Sequence, residues 1–418
     1  MKNRVYYGEY TLKHWIDLML RKNITLPPYQ RSFVWNEDAV LRFVKSLKNN
    51  EFVPPVTVAY YKPSDNDETN FILDGQQRLT TVLLAFLGYY PDKEKFKVAE
   101  KIGEEDDGAL DESNISDNNK KPIEWTFEKL LGNDVKPSKI KNDLDGDDRY
   151  KKLPELGLDD SFFENTFLGF SYVIPETTVQ GEIQKNFSLI FRNINYLGSS
   201  LSLLESRKSL YFLNNQFEKF FDAKTTENED IFCGLKILDN LQPCKIDFVR
   251  YLSTLSQYSI RENQNDVLKG YSAYKSRENY YADYVSYLVG LEQDNYKNKF
   301  DGFDFNLTFH NNIWESRFTT LRGLIGELKE YMTLDKDDSF KSWIDVDYWM
   351  YGLIYVVLFR GKQIEIKQIE IKEKLTNSLK EAIDKKKKDT NYAKSPNRLG
   401  YLRERLVDSI KIYSKYEK

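Results

Sequence analysis

Apolar positions in TLKHWIDLMLRKN fall at Leu12, Trp15, Ile16 and Met19, the spacing that keeps one side of a helix apolar. ITLPPYQRSFVW follows, where two prolines forbid a helix and favour extended chain. Asn36 then stands as an N-cap before EDAVLRFVKSLKNN, whose Val40, Leu41, Val44 and Leu47 share a face. VPPVTVAYY reads as a strand with a proline-marked start and NFILDG as a second. QQRLTTVLLAFLGYY returns to helical spacing and is expected to stop near Pro91. The first 95 residues thus alternate between helix and strand, as in a small α/β unit.

The pattern changes after it. Residues 96–160, including KVAEKIGEEDDGALDESNISDNNKK, are charged and poor in apolar side chains, as in a partly flexible insertion with one short ordered piece at IEWTFEKLL. From SFFENTFLGF onward helical spacing dominates. VQGEIQKNFSLIFRNIN and SLSLLESRKSLYFLNNQFEKFF read as long amphipathic helices on either side of a turn at Gly198, filling residues 161–245. DFVRYLSTLSQYS, NYYADYVSYLVGL, FTTLRGLIGELKEYM, DVDYWMYGLIYVVLF and NRLGYLRERLVDSIKIY continue the pattern over residues 246–418. The expected class is α+β: an N-terminal α/β domain followed by a largely α-helical C-terminal domain. The near-duplication QIEIKQIEIK is too short for a repeat architecture.

Composition narrows the function classes. With 418 residues, 40% of them hydrophobic, the chain has material for two cores. Its 29 Tyr and 26 Phe mark it as folded. A formal net charge of -4 gives no global basic field, which weakens a DNA-coating role but leaves room for a local basic groove. Cys233 and Cys244 alone make neither a disulfide scaffold nor a four-cysteine zinc site. His14 and His310 alone exclude an HNH-type nuclease centre. No secretory pattern opens the chain and no apolar run approaches about 20 residues, so a cytoplasmic location without membrane partners is expected.

The residues with the strongest chemistry are FILDGQQRLTT, Phe71 to Thr81. A strand, a sharp turn at Asp74-Gly75 and a helix opening on Gln76 present unpaired N–H groups and a positive dipole end to a phosphate. Gly75 lets a ligand approach the backbone. Arg78 can fork onto phosphate oxygens, Gln76 and Gln77 can orient water or ribose hydroxyls, and Asp74 can hold a metal ion or accept a proton. The plainer alternative has Asp74 capping the helix and Arg78 in a surface ion pair. In LPPYQRSFVW, Tyr29 and Trp35 can stack on bases while Gln30 and Arg31 offer donors; packing in the core is the alternative for Phe33 and Trp35. The tripeptides Glu365-Ile-Lys367 and Glu370-Ile-Lys372, with Asp345 or Asp347 upstream, faintly suggest a metal-dependent nuclease, but their surroundings read far better as a charged helix or short strand.

YQR-x-F-x-W followed by a helix, a strand and DGQQR resembles the GmrS-type DGQQR family (domain of unknown function 262) of anti-phage and modification-dependent restriction systems. A later segment is similar too, through Phe191, Ile194, Asn195, Gly198, Leu201, Glu205 and Arg207. The resemblance implies a ParB/sulfiredoxin-like N-terminal fold. It implies a nucleotide-processing site at Asp74, Gly75, Gln76, Gln77 and Arg78, with Asp74, Gln76, Gln77 and Arg78 catalytic and Asp74 the metal ligand. Gly75, Gln77, Arg78, Asn195 and Arg207 would bind nucleotide, with Glu205 beside them, and Tyr29, Gln30 and Arg31 would line the site or meet DNA. A nucleoside triphosphate with Mg2+ or Mn2+ is the implied cofactor. Relatives that carry an HNH domain cleave by a route this chain does not inherit, so a separate nuclease or defence-system subunit is an expected partner alongside DNA. The expected function is therefore triphosphate hydrolysis coupled to recognition of foreign or modified DNA. The alternatives are a non-catalytic DNA or nucleotide reader that recruits a nuclease, and a metal-dependent nuclease using the same site. The helical C-terminal half is large enough to form an oligomer interface.

Overall fold

The computed structural model describes residues 3–64, 67–97, 102, 123–131, 136–177, 179–197, 203–213, 215–239, 242–273, 276–291 and 297–418. The chain divides into two compact units, Met1–Ala99 with Glu112–Leu213 and Glu100–Asp111 with Asn214–Lys418. Of the charged stretch 96–160, residues 98–101, 103–122 and 132–135 lie outside the described residues.

In the first unit the order is β1 (Asn3–Thr11), α1 (Leu12–Leu20), β2 (Ile24–Thr25), α2 (Glu37–Lys48), β3 (Val56–Ser64), β4 (Asp67–Asp74) and α3 (Gln76–Leu87). Next come β5 (Tyr89–Pro91), α4 (Phe127–Leu131), α5 (Pro137–Asp145), β6 (Tyr150–Lys152), α6 (Asp160–Asn165), β7 (Phe167–Pro175), α7 (Gln180–Leu197) and α8 (Leu203–Lys208). Five strands form one mixed sheet in the order β1-β7-β3-β4-β2. β7 runs antiparallel to β1 and parallel to β3, and β3 runs antiparallel to β4. Successive residues of a strand point to opposite faces, and β4 uses both. Ile72 packs with Trp15 and Ile16 of α1 and Leu79 of α3, whereas Leu73 packs with Ile183 and Phe187 of α7. At β4 the sheet is thus covered on both sides.

Local chemistry sets the helix starts. The Asn36 side chain accepts from Ala39 N at 2.9 Å, and Glu37 and Asp38 sit at the positive end of α2. Thr11 caps α1 through His14 N.

Three expectations are corrected. SFFENTFLGF does not open a helical region: after the short α6 it becomes β7, a strand interior to the sheet. α3 ends at the left-handed Gly88 and not near Pro91, because Tyr89–Pro91 pairs with Tyr150–Lys152. SLSLLESRKSLYFLNNQFEKFF is not one helix but α8, a 3-10 turn at Tyr211–Leu213 and α9 (Asn215–Phe221). Gly198, the expected turn, lies outside the described residues.

The second unit is largely helical. After α9 it carries β8 (Lys236–Asp239), β9 (Gln242–Lys245), α10 (Phe248–Arg261), α11 (Arg277–Leu288), α12 (Lys297–Phe300), α13 (Phe305–Thr308) and α14 (Trp314–Leu328). It closes with β10 (Ser339–Phe340), α15 (Trp343–Ile354), a π-helical turn over Tyr355–Phe359, α16 (Ile369–Lys388), α17 (Thr390–Lys394) and α18 (Leu399–Tyr413). At its centre Asp347 is wholly buried and takes hydrogen bonds from Arg250 Nη2 at 2.9 Å, Arg405 Nε at 2.9 Å and Tyr251 Oη at 2.9 Å. Burial alone would push the Asp347 carboxyl up, but the Arg250 and Arg405 guanidinium groups hold it below the usual carboxylate value. Among the described residues, no helix is long and apolar enough to cross a membrane.

Candidate functional site

β4 delivers Asp74 to the sheet end, and the chain turns through Gly75 into α3. Gly75 has φ +93°, and a Cβ there would collide with Val56, so conformation and space both require glycine. Gly75 is itself the N-cap, and among the described residues no side chain caps α3. Asp74 therefore does not cap the helix. The N-terminal N–H groups of α3, aligned with its dipole, are left to a ligand or water.

A cavity of about 460 Å³ closes on this helix end, wholly within the first unit. Gln30, Arg31, Asp74, Gly75, Gln76, Gln77 and Arg78 all line it. Gln76 is 4% exposed and its Nε2 has no partner among the described residues. A buried amide without a partner costs about 1–3 kcal/mol, which a bound acceptor would relieve. Arg31 lines the same cavity and, among the described residues, makes no ion pair or hydrogen bond.

Other members of the two motifs hold the cavity together. Gln77 accepts from Val34 N at 3.0 Å and Trp35 N at 3.3 Å, and donates to Ser32 O at 3.3 Å. Its amide thus clamps the segment after Arg31 to α3. Gln30 donates to the Ile72 and Leu73 carbonyls at 2.8 and 3.2 Å, fixing the near side of Arg31 to β4. Lys93, its pKa pushed down to about 8 by burial, adds a bond to Val34 O at 2.6 Å. Arg78 pairs with Asp74 at 2.6 Å and donates to Pro54 O, tying the approach to β3 onto the turn.

Tyr29 points elsewhere. Its ring packs on Phe191 at 5.0 Å between centroids, and its hydroxyl is sealed from solvent and held well above its ordinary pKa by burial. Arg207 is fully buried in α8 and is not part of the cavity wall. The side chains of Asn195 and Glu205 lie outside the described residues. The two motifs therefore meet through Gln30 and Arg31 on one side and Asp74 to Arg78 on the other. Residues outside the motifs complete the wall: Ser46 and Phe43 of α2, Phe52 to Pro54 after it, and Ile194 of α7. Phe52 carried no sequence signal beyond an aromatic residue beside two prolines.

Among the described residues Asp74 is the single carboxylate in the cavity wall, and no group of three or more His, Cys, Asp or Glu is arranged for a metal ion. One carboxylate with phosphate oxygens and water satisfies Mg2+, so the donor set fits a cation that arrives with a nucleotide. The second acidic set does not assemble. Asp347 is consumed by two arginines, Asp345 pairs with Lys387 at 2.6 Å, Glu365 with Lys418 at 2.9 Å, and Lys372 with Glu327 at 3.3 Å.

Residues 12–212 match the family model described as GmrSD restriction endonuclease, N-terminal domain. The match takes in both YQR and DGQQR and spans just under half of the 418 residues. By this match the first unit is similar to the N-terminal domain of a restriction-type enzyme. Searches of curated proteins and of solved structures each returned no match.

Proposed function

We propose that the chain is a restriction-type defence protein directed at foreign or modified DNA, and that its first unit binds and hydrolyses a nucleoside triphosphate at the start of α3. The observation that carries the nucleotide reading is the convergence, in one cavity of about 460 Å³, of an uncapped helix N-terminus, the unpaired Arg31 and the unpartnered Gln76 amide. All three offer donors, and a polyphosphate offers only acceptors. The family match supports the defence role, in which DNA is the expected partner.

In this reading the α3 N–H groups and Gln76 Nε2 hold phosphate oxygens, and Arg31 places its fork on the charge that grows as water bonds to the terminal phosphorus, the nucleoside diphosphate departs and the water's proton passes to the released phosphate. Gln77 and Gln30 act at one remove by fixing Arg31. Asp74 would hold a divalent cation, which supplies neutralisation of phosphate charge when bound. A second reading, nucleotide binding without turnover, is favoured by one observation: Asp74 is already engaged by Arg78.

The test is phosphate release from each of the four triphosphates, with Mg2+ or Mn2+, with and without DNA, in wild type and Arg31→Ala. Turnover in wild type that falls about tenfold or more in the variant is expected, since a charge-assisted bond contributes about 1.5–3 kcal/mol. Binding without release would select the second reading. No binding of any triphosphate would end both.

A further inference from the structure

The donors at α3 account for only part of the cavity. Much of the rest of its wall is apolar: Trp35, Phe43, Phe52, Val53, Phe191 and Ile194 line it, with Ser46 among them. A polyphosphate has no use for such a surface, whereas ligand pockets of this size pair a few polar groups with apolar walls that take a flat body. A volume of about 460 Å³ suits a mononucleotide.

The aromatic rings of this wall differ in what they already touch. Trp35 and Phe43 pack edge to face at 5.4 Å and belong to the core behind the cavity. Phe52 is 87% exposed although it lies in the cavity wall. An aromatic ring left in water forgoes its burial free energy, and floppy chain would let it fold inward. The chain here is held. Glu51 N donates to Ser46 O at 2.9 Å, Ser46 Oγ donates to Glu51 Oε2 at 2.7 Å, and Pro54 and Pro55 restrict the backbone that follows. Arg78 then bonds the Pro54 carbonyl, so the residue that closes the DGQQR turn also sets the distance from that turn to Phe52.

Resting on the nucleotide reading above, we propose that Phe52 is the platform on which the nucleobase stacks, with Arg78 as the positioning residue that sets its distance from the phosphate end. Stacking uses the face common to all bases, so the site accepts all four triphosphates.

The experiment measures equilibrium binding of ATP, UTP and inorganic tripolyphosphate, each with Mg2+, to the full chain by calorimetry. Wild type, Phe52→Ala and Phe52→Trp are compared, with circular dichroism confirming the fold of each. Phe52→Ala is expected to weaken ATP and UTP about tenfold while leaving tripolyphosphate unchanged, and Phe52→Trp to restore nucleotide binding. Unchanged ATP binding in Phe52→Ala, with tripolyphosphate bound equally by all three proteins, overturns the platform and leaves the phosphate site standing. Failure of wild type to bind tripolyphosphate or either nucleotide overturns the phosphate site, and the platform with it.

Discussion

Each unit sets arginine beside aspartate, and the two arrangements end differently. In the second unit Asp347 is wholly buried between Arg250 and Arg405, with Tyr251 supplying a further bond and the Trp343 ring lying 4.6 Å from the Arg250 guanidinium. In the first unit Arg78 closes on Asp74, but Arg31, brought to the same cavity by two glutamine clamps, has no ion pair or hydrogen bond among the described residues. The first arrangement holds a core together. The second keeps a cation open with two glutamine clamps, beside a turn that only glycine fits. Arginine content alone does not tell these apart; the completeness of each partner set does.

Substitutions should separate the two regions in order of severity. Asp347→Asn should do the most damage, costing about 3–5 kcal/mol by leaving two buried guanidinium groups without their carboxylate, read as a lower midpoint in urea. The pH dependence of wild type tests the same cluster. The folded pKa of Asp347 lies below its unfolded value, so its stabilisation is present above about pH 4 and disappears as pH falls through the folded value. A cluster whose removal shifts neither midpoint nor acid sensitivity would erase the contrast. Gly75→Ala comes next: strain at positive φ costs of order 1–3 kcal/mol, and the added methyl group must displace Val56, so both thermal stability and triphosphate binding should fall. Gln77→Leu orphans the Val34 and Trp35 N–H groups, about 1–3 kcal/mol in stability, and should lower triphosphate affinity indirectly by freeing Arg31. Arg31→Ala should be the mildest in stability, within about 0.5 kcal/mol, because the guanidinium holds nothing in place. A large loss of stability in that variant would show Arg31 to be structural.

The DGQQR turn was legible in sequence because its parts are local: an apolar strand, Asp-Gly, then helical spacing. α10, α11, α14, α15 and α18 of the second unit were legible for the same reason, whereas α16 was not, its Glu-Ile-Lys repeats and lysine run masking a helix. β1 and β7 were not. β1 shows almost no alternation, since its seven inner residues are all exposed, and β7 carries Gly169 within a stretch that continues a helical-looking run. Their pairing joins Asn3 to Pro175, a contact that no short window of sequence contains. The site was legible in membership more than in division of labour. Gln77 lines the cavity as expected, but a glutamine that clamps three backbone groups reads the same in sequence as one facing substrate. Phe52 gave too little signal to be singled out, because an exposed phenylalanine in a proline loop acquires meaning only from the cavity beside it.

The insertion of β7 between β1 and β3 carries a consequence for the timing of synthesis. About 90 residues separate the end of β4 from the start of β7, so at ribosomal speed the sheet waits roughly 5–20 s for the strand that bridges its halves. During that interval β1, with Tyr6 and Tyr7 exposed, and β3 each present an unmatched edge, the kind of surface that chaperones cover. The cavity must wait longer still, because Phe191 and Ile194 of its wall follow β7. A chain on the ribosome carries the DGQQR turn well before it carries a finished pocket, and the cavity takes shape only when the first unit has closed.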